Sequence, residues 1–223
     1  MESALIVQPN PGLCLKDPQS SSLGQRMISE GIQLLAQKGY EHFTFRKLAQ
    51  RIGSTEASVY RYFESKHKFL LYLYDWYWAW VSYRISLATA NIKSPKIRLQ
   101  QAIKVLVSKV EIDASVTFVN EVDLHRVIVN ESAKAYLVKD VDEANQEGAY
   151  LGYKSVVQTV SDIILEVKAD FRYPHMLVST VVEGAHLQRF FMEHLPRLTN
   201  KCKGQDAVLN FYIDLVNKTL GTA

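Results

Sequence analysis

Residues Thr44 to Lys66 read TFRKLAQRIGSTEASVYRYFESK, and their spacing predicts two short helices joined by a tight turn. Phe45, Leu48, Ala49 and Ile52 recur at helical intervals, which gives the first helix one apolar face. Thr44 stands just before it, where a side-chain oxygen can accept from the free N–H groups of the first turn. Gly53 follows the last apolar residue, where a positive φ costs glycine little. Ser54 and Thr55 then offer caps for a second helix, Glu56 to Phe63, whose inward pair is Val59 and Phe63. Its other positions, Thr55, Glu56, Ser58, Tyr60, Arg61 and Tyr62, are polar or amphipathic. A short helix, a glycine-bearing turn and a short helix with a polar outer face form a helix-turn-helix pattern.

Working outward, a helix is expected over about Leu23 to Lys38, with Met27, Ile28, Ile32, Leu35 and Ala36 as its apolar stripe and Gly39 as its stop. It closes a three-helix unit. Residues 1–22, with Pro9, Pro11, Pro18 and three consecutive serines, lack periodicity and read as a flexible arm. Downstream, Ser65 caps a long helix expected to reach about Asn91. Its middle, LLYLYDWYWAWVSY, is apolar nearly all round, as in a helix buried within a larger domain. Further helices are expected from Pro95 to about Ile112, from Phe118 to Val129, from Ala133 to Val141 and from about Glu143 to Lys168. Asp113 to Thr117 read as a break, and Asn130-Glu131-Ser132 as a turn. Two last helices, to about His194 and from Asp206 to Leu220, are apolar without a clear polar stripe, so they call for partners beyond their own subunit. The fold class is all-α. The expected division is an arm at 1–22, a DNA-binding domain at 23–64 and a larger helical domain at 65–223.

Charge placement supports that division. From Leu23 to Phe69 there are eight basic residues and four acidic ones, so this segment carries +4 of a total of +3, and the rest of the chain sums to −1. A basic helix-turn-helix suits phosphate. The 48% hydrophobic content excludes a disordered chain. No apolar run reaches the roughly 18 residues of a membrane span, and no secretory signal opens the chain. Cys14 and Cys202 make no disulfide framework and read as free thiols of a cytoplasmic protein.

The stretch resembles the TetR family of bacterial transcriptional regulators. The carrying residues are Thr44, Leu48-Ala49, Gly53, Tyr60-Arg61-Tyr62-Phe63 and Lys66, within a match from Leu23 to about Leu71. Ser54 stands where the family usually has an apolar residue, and Glu56 where lysine or glutamine is common. The resemblance implies a homodimer on double-stranded operator DNA, paired through the last two helices, and more often a repressor than an activator. It implies phosphate contacts at Thr44, Lys66 and Tyr60. Arg46, Lys47 and Arg61 are further cationic candidates. Thr55, Glu56, Ser58, Tyr60 and Tyr62 form the groove-facing set, in which Glu56 can accept from a cytosine amino group. The family also senses small, often apolar or cationic molecules beside its fourth helix. Trp76, Tyr77, Trp80 and Tyr83 are therefore candidate ligand contacts, with plain core packing as the competing reading.

Catalytic signals are weak. The chain has no glycine-rich phosphate loop and no nucleophile motif, so no enzyme activity and no cofactor are expected. Glu183 and His186 share a helix face, but a di-iron bundle needs that motif twice and two more glutamates, so no metal site is expected. A ligand-binding or scaffold protein without operator specificity is the alternative, and a helical metal protein comes third.

Overall fold

The computed structural model describes residues 7–112 and 118–222. Among these are ten α-helices and no strand. They are α1 (Ser22–His42), α2 (Phe45–Arg51), α3 (Glu56–Tyr60), α4 (Lys66–Thr89), α5 (Pro95–Val107), α6 (Glu121–Tyr136), α7 (Val141–Gln146), α8 (Leu151–Val167), α9 (Pro174–His194) and α10 (Ala207–Leu220). The chain forms two compact units. One takes the described residues of 1–79 and 110–152; the other takes 80–109 and those of 153–223.

In the first unit, α1 packs against both α2 and α6. The regular turns of α1 stop at Gly39, whose φ is +73°. The freed Tyr40 N–H then donates to Glu131 Oε1 at 2.9 Å. That bond explains one departure from the sequence reading. Asn130-Glu131-Ser132 is not a turn: α6 runs through it as one helix, and Glu131 on it is buried and accepts the N–H that the kink in α1 leaves free. A second departure lies downstream. The expected long helix from Glu143 is broken at Gly148 (φ +83°), and α8 starts at Leu151. The break at 113–117 lies outside the described residues.

Every residue of α4 from Phe69 to Trp78 is buried, including Asp75. Asp75 Oδ2 accepts from the Asn10 N–H at 2.7 Å and Oδ1 from the Gly152 N–H at 3.0 Å. Residues 7–20 are not the loose arm their composition implied. Proline-led 3-10 turns at Pro11–Leu13 and Pro18–Ser20 are capped by Asn10 and Asp17, and Val7 and Leu13 are buried. Prolines that break a helix here shape a packed strap. Residues 1–6 lie outside the description.

In the second unit, α5, α9 and α10 pack together. Gly184 lets α10 approach: a Cβ there would stand 2.2 Å from the Tyr212 hydroxyl oxygen. Arg189 donates to Asp206 at 2.7 Å and to the Val107 carbonyl at 2.5 Å. Burial raises the Asp206 carboxyl, but the Arg189 bond and N–H donors from α10 reverse this and leave its pKa below the usual range. No helix among the described residues is long and apolar enough to cross a membrane.

Candidate nucleic-acid interface

The helix-turn-helix is set by its caps. Thr44 Oγ1 accepts from the Lys47 N–H at 3.2 Å, and Thr55 Oγ1 from the Ser58 N–H at 3.2 Å. Gly53, with φ +63°, turns the chain between them. Beneath, Phe45, Leu48, Ala49, Ile52, Val59 and Phe63 are buried. Short helices of this kind are held by that shared core and by their caps, since neither is long enough to persist alone.

The exposed side is polar. Thr44, Arg46, Lys47, Thr55, Glu56, Tyr60 and Arg61 are all exposed, and Ser58 is half-buried. The Thr55 and Ser58 hydroxyls lie 2.9 Å apart, and Arg61 donates to Ser58 Oγ at 3.4 Å. Tyr60 rests edge-on against Phe45, with ring centroids 5.0 Å apart. Its hydroxyl end is thereby presented from a fixed base. Lys47 Nζ bonds the His42 carbonyl at 2.8 Å, so it is drawn toward the end of α1.

Tyr62 departs from the expected face. The helix ends at Tyr60, so Tyr62 falls beyond it, is 3% exposed, and has its hydroxyl 2.8 Å from Ser21 Oγ. Tyr40 is a feature that sequence reasoning missed. The Lys66 ammonium sits 4.3 Å from the centroid of its ring and 3.3 Å from its carbonyl oxygen. The α1 kink thus holds the lysine at the start of α4. Arg51, a basic residue of α2, is spent internally: it pairs with Glu30 and bonds Gln33 at 2.7 Å and Gln37 at 3.1 Å.

The candidate ligand residues on α4 divide between the two units. In the first, Trp76 and Tyr77 are buried, and the Tyr77 hydroxyl lies 2.9 Å from His125 Nδ1. Trp76 Nε1 is buried with no hydrogen-bond partner among the described residues. In the second, Trp80 is buried under the Arg84 guanidinium, 4.8 Å from its ring, and Tyr83 is 37% exposed. A cavity of about 410 Å³ in the first unit lies elsewhere, lined by the strap and Tyr72. His186, on α9, is buried, and burial lowers its pKa to about 4 against a smaller opposing effect of Glu183. The Tyr153 hydroxyl bonds Glu183 at 2.9 Å. No group of three potential metal-ligating side chains stands together among the described residues.

Residues 27–73 match the family model described as bacterial regulatory proteins, tetR family. This segment is similar to the DNA-binding segment of tetR-family regulators. The match covers α1 from Met27, α2, α3 and the start of α4, and with them every candidate DNA-contact residue from Thr44 to Lys66. Solved structures align with about nine-tenths of the chain. The superantigen PfiT aligns with 16% identity and a TM-score of 0.59, covering 91% of this chain and 97% of that one. The ketosteroid transcriptional regulator KstR2 of Mycobacterium tuberculosis aligns with 14% identity and a TM-score of 0.53, covering 90% and 94%. The TetR family transcriptional regulator PfmR from Thermus thermophilus aligns with 15% identity and a TM-score of 0.57, covering 88% and 97%. At such identities the likeness is one of fold. No curated protein matches the chain.

Proposed function

We propose that this protein is a sequence-specific DNA-binding transcriptional regulator, and a repressor that leaves its operator when a small molecule binds. The observation that carries the proposal is the tetR-family domain with the exposed polar side of α3: Thr55, Glu56, Tyr60 and Arg61. Thr55, Ser58 and Glu56 read base edges in the major groove, while Thr44, Arg46, Lys47, Tyr60, Arg61 and Lys66 meet phosphates. Tyr62, being buried, has no part in contact and serves the packing below. The protein acts as a homodimer through α9 and α10, whose exposed side carries Leu187 and Phe211, more than half exposed in the single chain. A selection of binding sites from random duplexes tests this. Enrichment of a two-fold symmetric motif is expected, and recovery of no motif would sink it.

The ligand reading rests on Trp76, whose buried indole N–H has no acceptor among the described residues, one position before Tyr77, which bonds His125. A flat molecule with a hydrogen-bond acceptor suits it. Release from DNA requires that this ligand prefer the unbound arrangement. A second reading, a ligand-binding protein without operator specificity, draws on Glu56, an acid exposed in the first turn of α3. The same selection separates the two.

A further inference from the structure

The chain ahead of the tetR-family segment is fastened at two places. Near its start, the Asn10 N–H donates to the Asp75 carboxylate of α4 at 2.7 Å, and Asn10 Nδ2 donates to the Glu147 carbonyl at 2.8 Å. Farther on, the Leu15 N–H donates to the Tyr62 carbonyl at 2.8 Å, and Ser21 Oγ meets the Tyr62 hydroxyl at 2.8 Å. The Lys16 ammonium lies 5.2 Å from the centroid of the Tyr62 ring. Tyr62 stands two residues beyond α3, and its own N–H and that of Phe63 both bond the Val59 carbonyl, at 2.9 and 3.1 Å.

The fastening is built in. Two glycines leave room for it: a Cβ at Gly148 would come within 2.4 Å of Asn10 Nδ2, and one at Gly152 within 2.8 Å of Asp75 Oδ1. Asp75 is 3% exposed, so its carboxylate has no use for water and depends on the two N–H donors it receives. At the other end, α3 has five residues and leaves carbonyls beyond its last turn. The strap supplies the donor for one of them.

We propose that the strap of residues 7–20 is a positioning element for α3: Asn10 and Asp75 pin it to α4, and Leu15 and Ser21 hold the Tyr62 end of the reading helix. The effect on DNA rests on the regulator reading above; the effect on the helix does not. Asn10→Pro deletes the pinning N–H, and the Asn10 φ of −57° already suits proline. Asn10→Ala keeps that N–H and removes only the side-chain bonds, so the pair of variants isolates the bond to Asp75.

Amide hydrogen exchange of the full chain tests the proposal. Asn10→Pro is expected to speed exchange at Leu15, Tyr62 and Phe63 by about tenfold, the effect of losing a hydrogen bond to a charged group, while α10 stays protected and Asn10→Ala does much less. Binding to the selected operator should weaken more for matched than for mismatched duplexes, because the base-reading helix is loosened, with an unchanged salt slope, because no phosphate contact is lost. Faster exchange at Leu15 with Tyr62 and Phe63 unchanged would overturn the proposal. So would an equal rise in every helix, which would make the strap a general stabiliser. A wild-type protein that binds no DNA would sink the regulator reading and leave the exchange result to decide the strap.

Discussion

The outer side of α3 and the outer side of α9 and α10 are both exposed in one chain, and they differ in kind. Along α3 the exposed groups are hydroxyls, a carboxylate, a guanidinium and a half-exposed tyrosine over Phe45. On α9 and α10, Met176, Leu187 and Phe211 are each more than half exposed. Water satisfies the first surface and is poorly served by the second. The contrast teaches that exposure alone says little; the chemistry of what is exposed indicates what it is meant to meet. A polar helix supported from below suits a polar, charged partner, and, in the dimer proposed above, the exposed apolar side chains of α9 and α10 meet a second copy.

The sharpest way to break that contrast is to make the apolar side polar. Leu187→Glu with Phe211→Glu should weaken self-association by about 4 kcal/mol, near a thousandfold, as measured by sedimentation over a concentration series. A wild-type protein that stays monomeric at tens of micromolar would show instead that the apolar side serves another purpose. The next effect concerns acid. His186 has a folded pKa of about 4 against an ordinary 6.5, because burial disfavours its charge. The unfolded chain therefore takes up a proton that the folded chain refuses. Stability should fall by about 3 kcal/mol as pH drops from about 6.5 to about 4. His186→Gln should remove that slope in a denaturant series.

In the other unit the sign reverses. Burial raises the Asp75 carboxyl above 3.8 despite its two N–H donors. Its folded form binds the proton more readily than the unfolded chain, so its contribution grows as pH falls through the raised value and is lost as pH rises. Asp75→Leu should abolish that opposite slope, read as acid-dependent exchange in α4. A smaller effect belongs to the caps. Thr55→Ala should cost about 1 kcal/mol of stability by freeing the Ser58 N–H, seen in thermal unfolding. Last, Lys66→Ala should lower the salt slope of DNA binding by about one phosphate while preserving sequence preference. An unchanged slope would take Lys66 off the phosphate list and leave it the Tyr40 contact alone.

Much of this was legible in the sequence because it is local. Thr44, Thr55 and Gly53 announce the helix-turn-helix within a few residues of where they act, and the apolar stripe of α1 follows its helical period. Two of the errors share one cause, a distant partner. Glu131 looked like part of a turn because its partner, Tyr40, lies 91 residues away. The strap looked loose because Asp75, its anchor, is 65 residues on. Tyr62 looked like a surface residue because helical spacing was carried past the point where α3 ends. A polar side chain that caps a distant segment has the same letter as one that faces water.

The bond from Tyr40 to Glu131 also limits how the molecule could be rebuilt. A chimaera that grafts residues up to the start of α4 onto a different helical body would leave the Tyr40 amide without its acceptor and the strap without its anchor. Exchanging the helix-turn-helix of this protein would therefore require transplanting a glutamate at the position of Glu131, and an aspartate at that of Asp75, along with it.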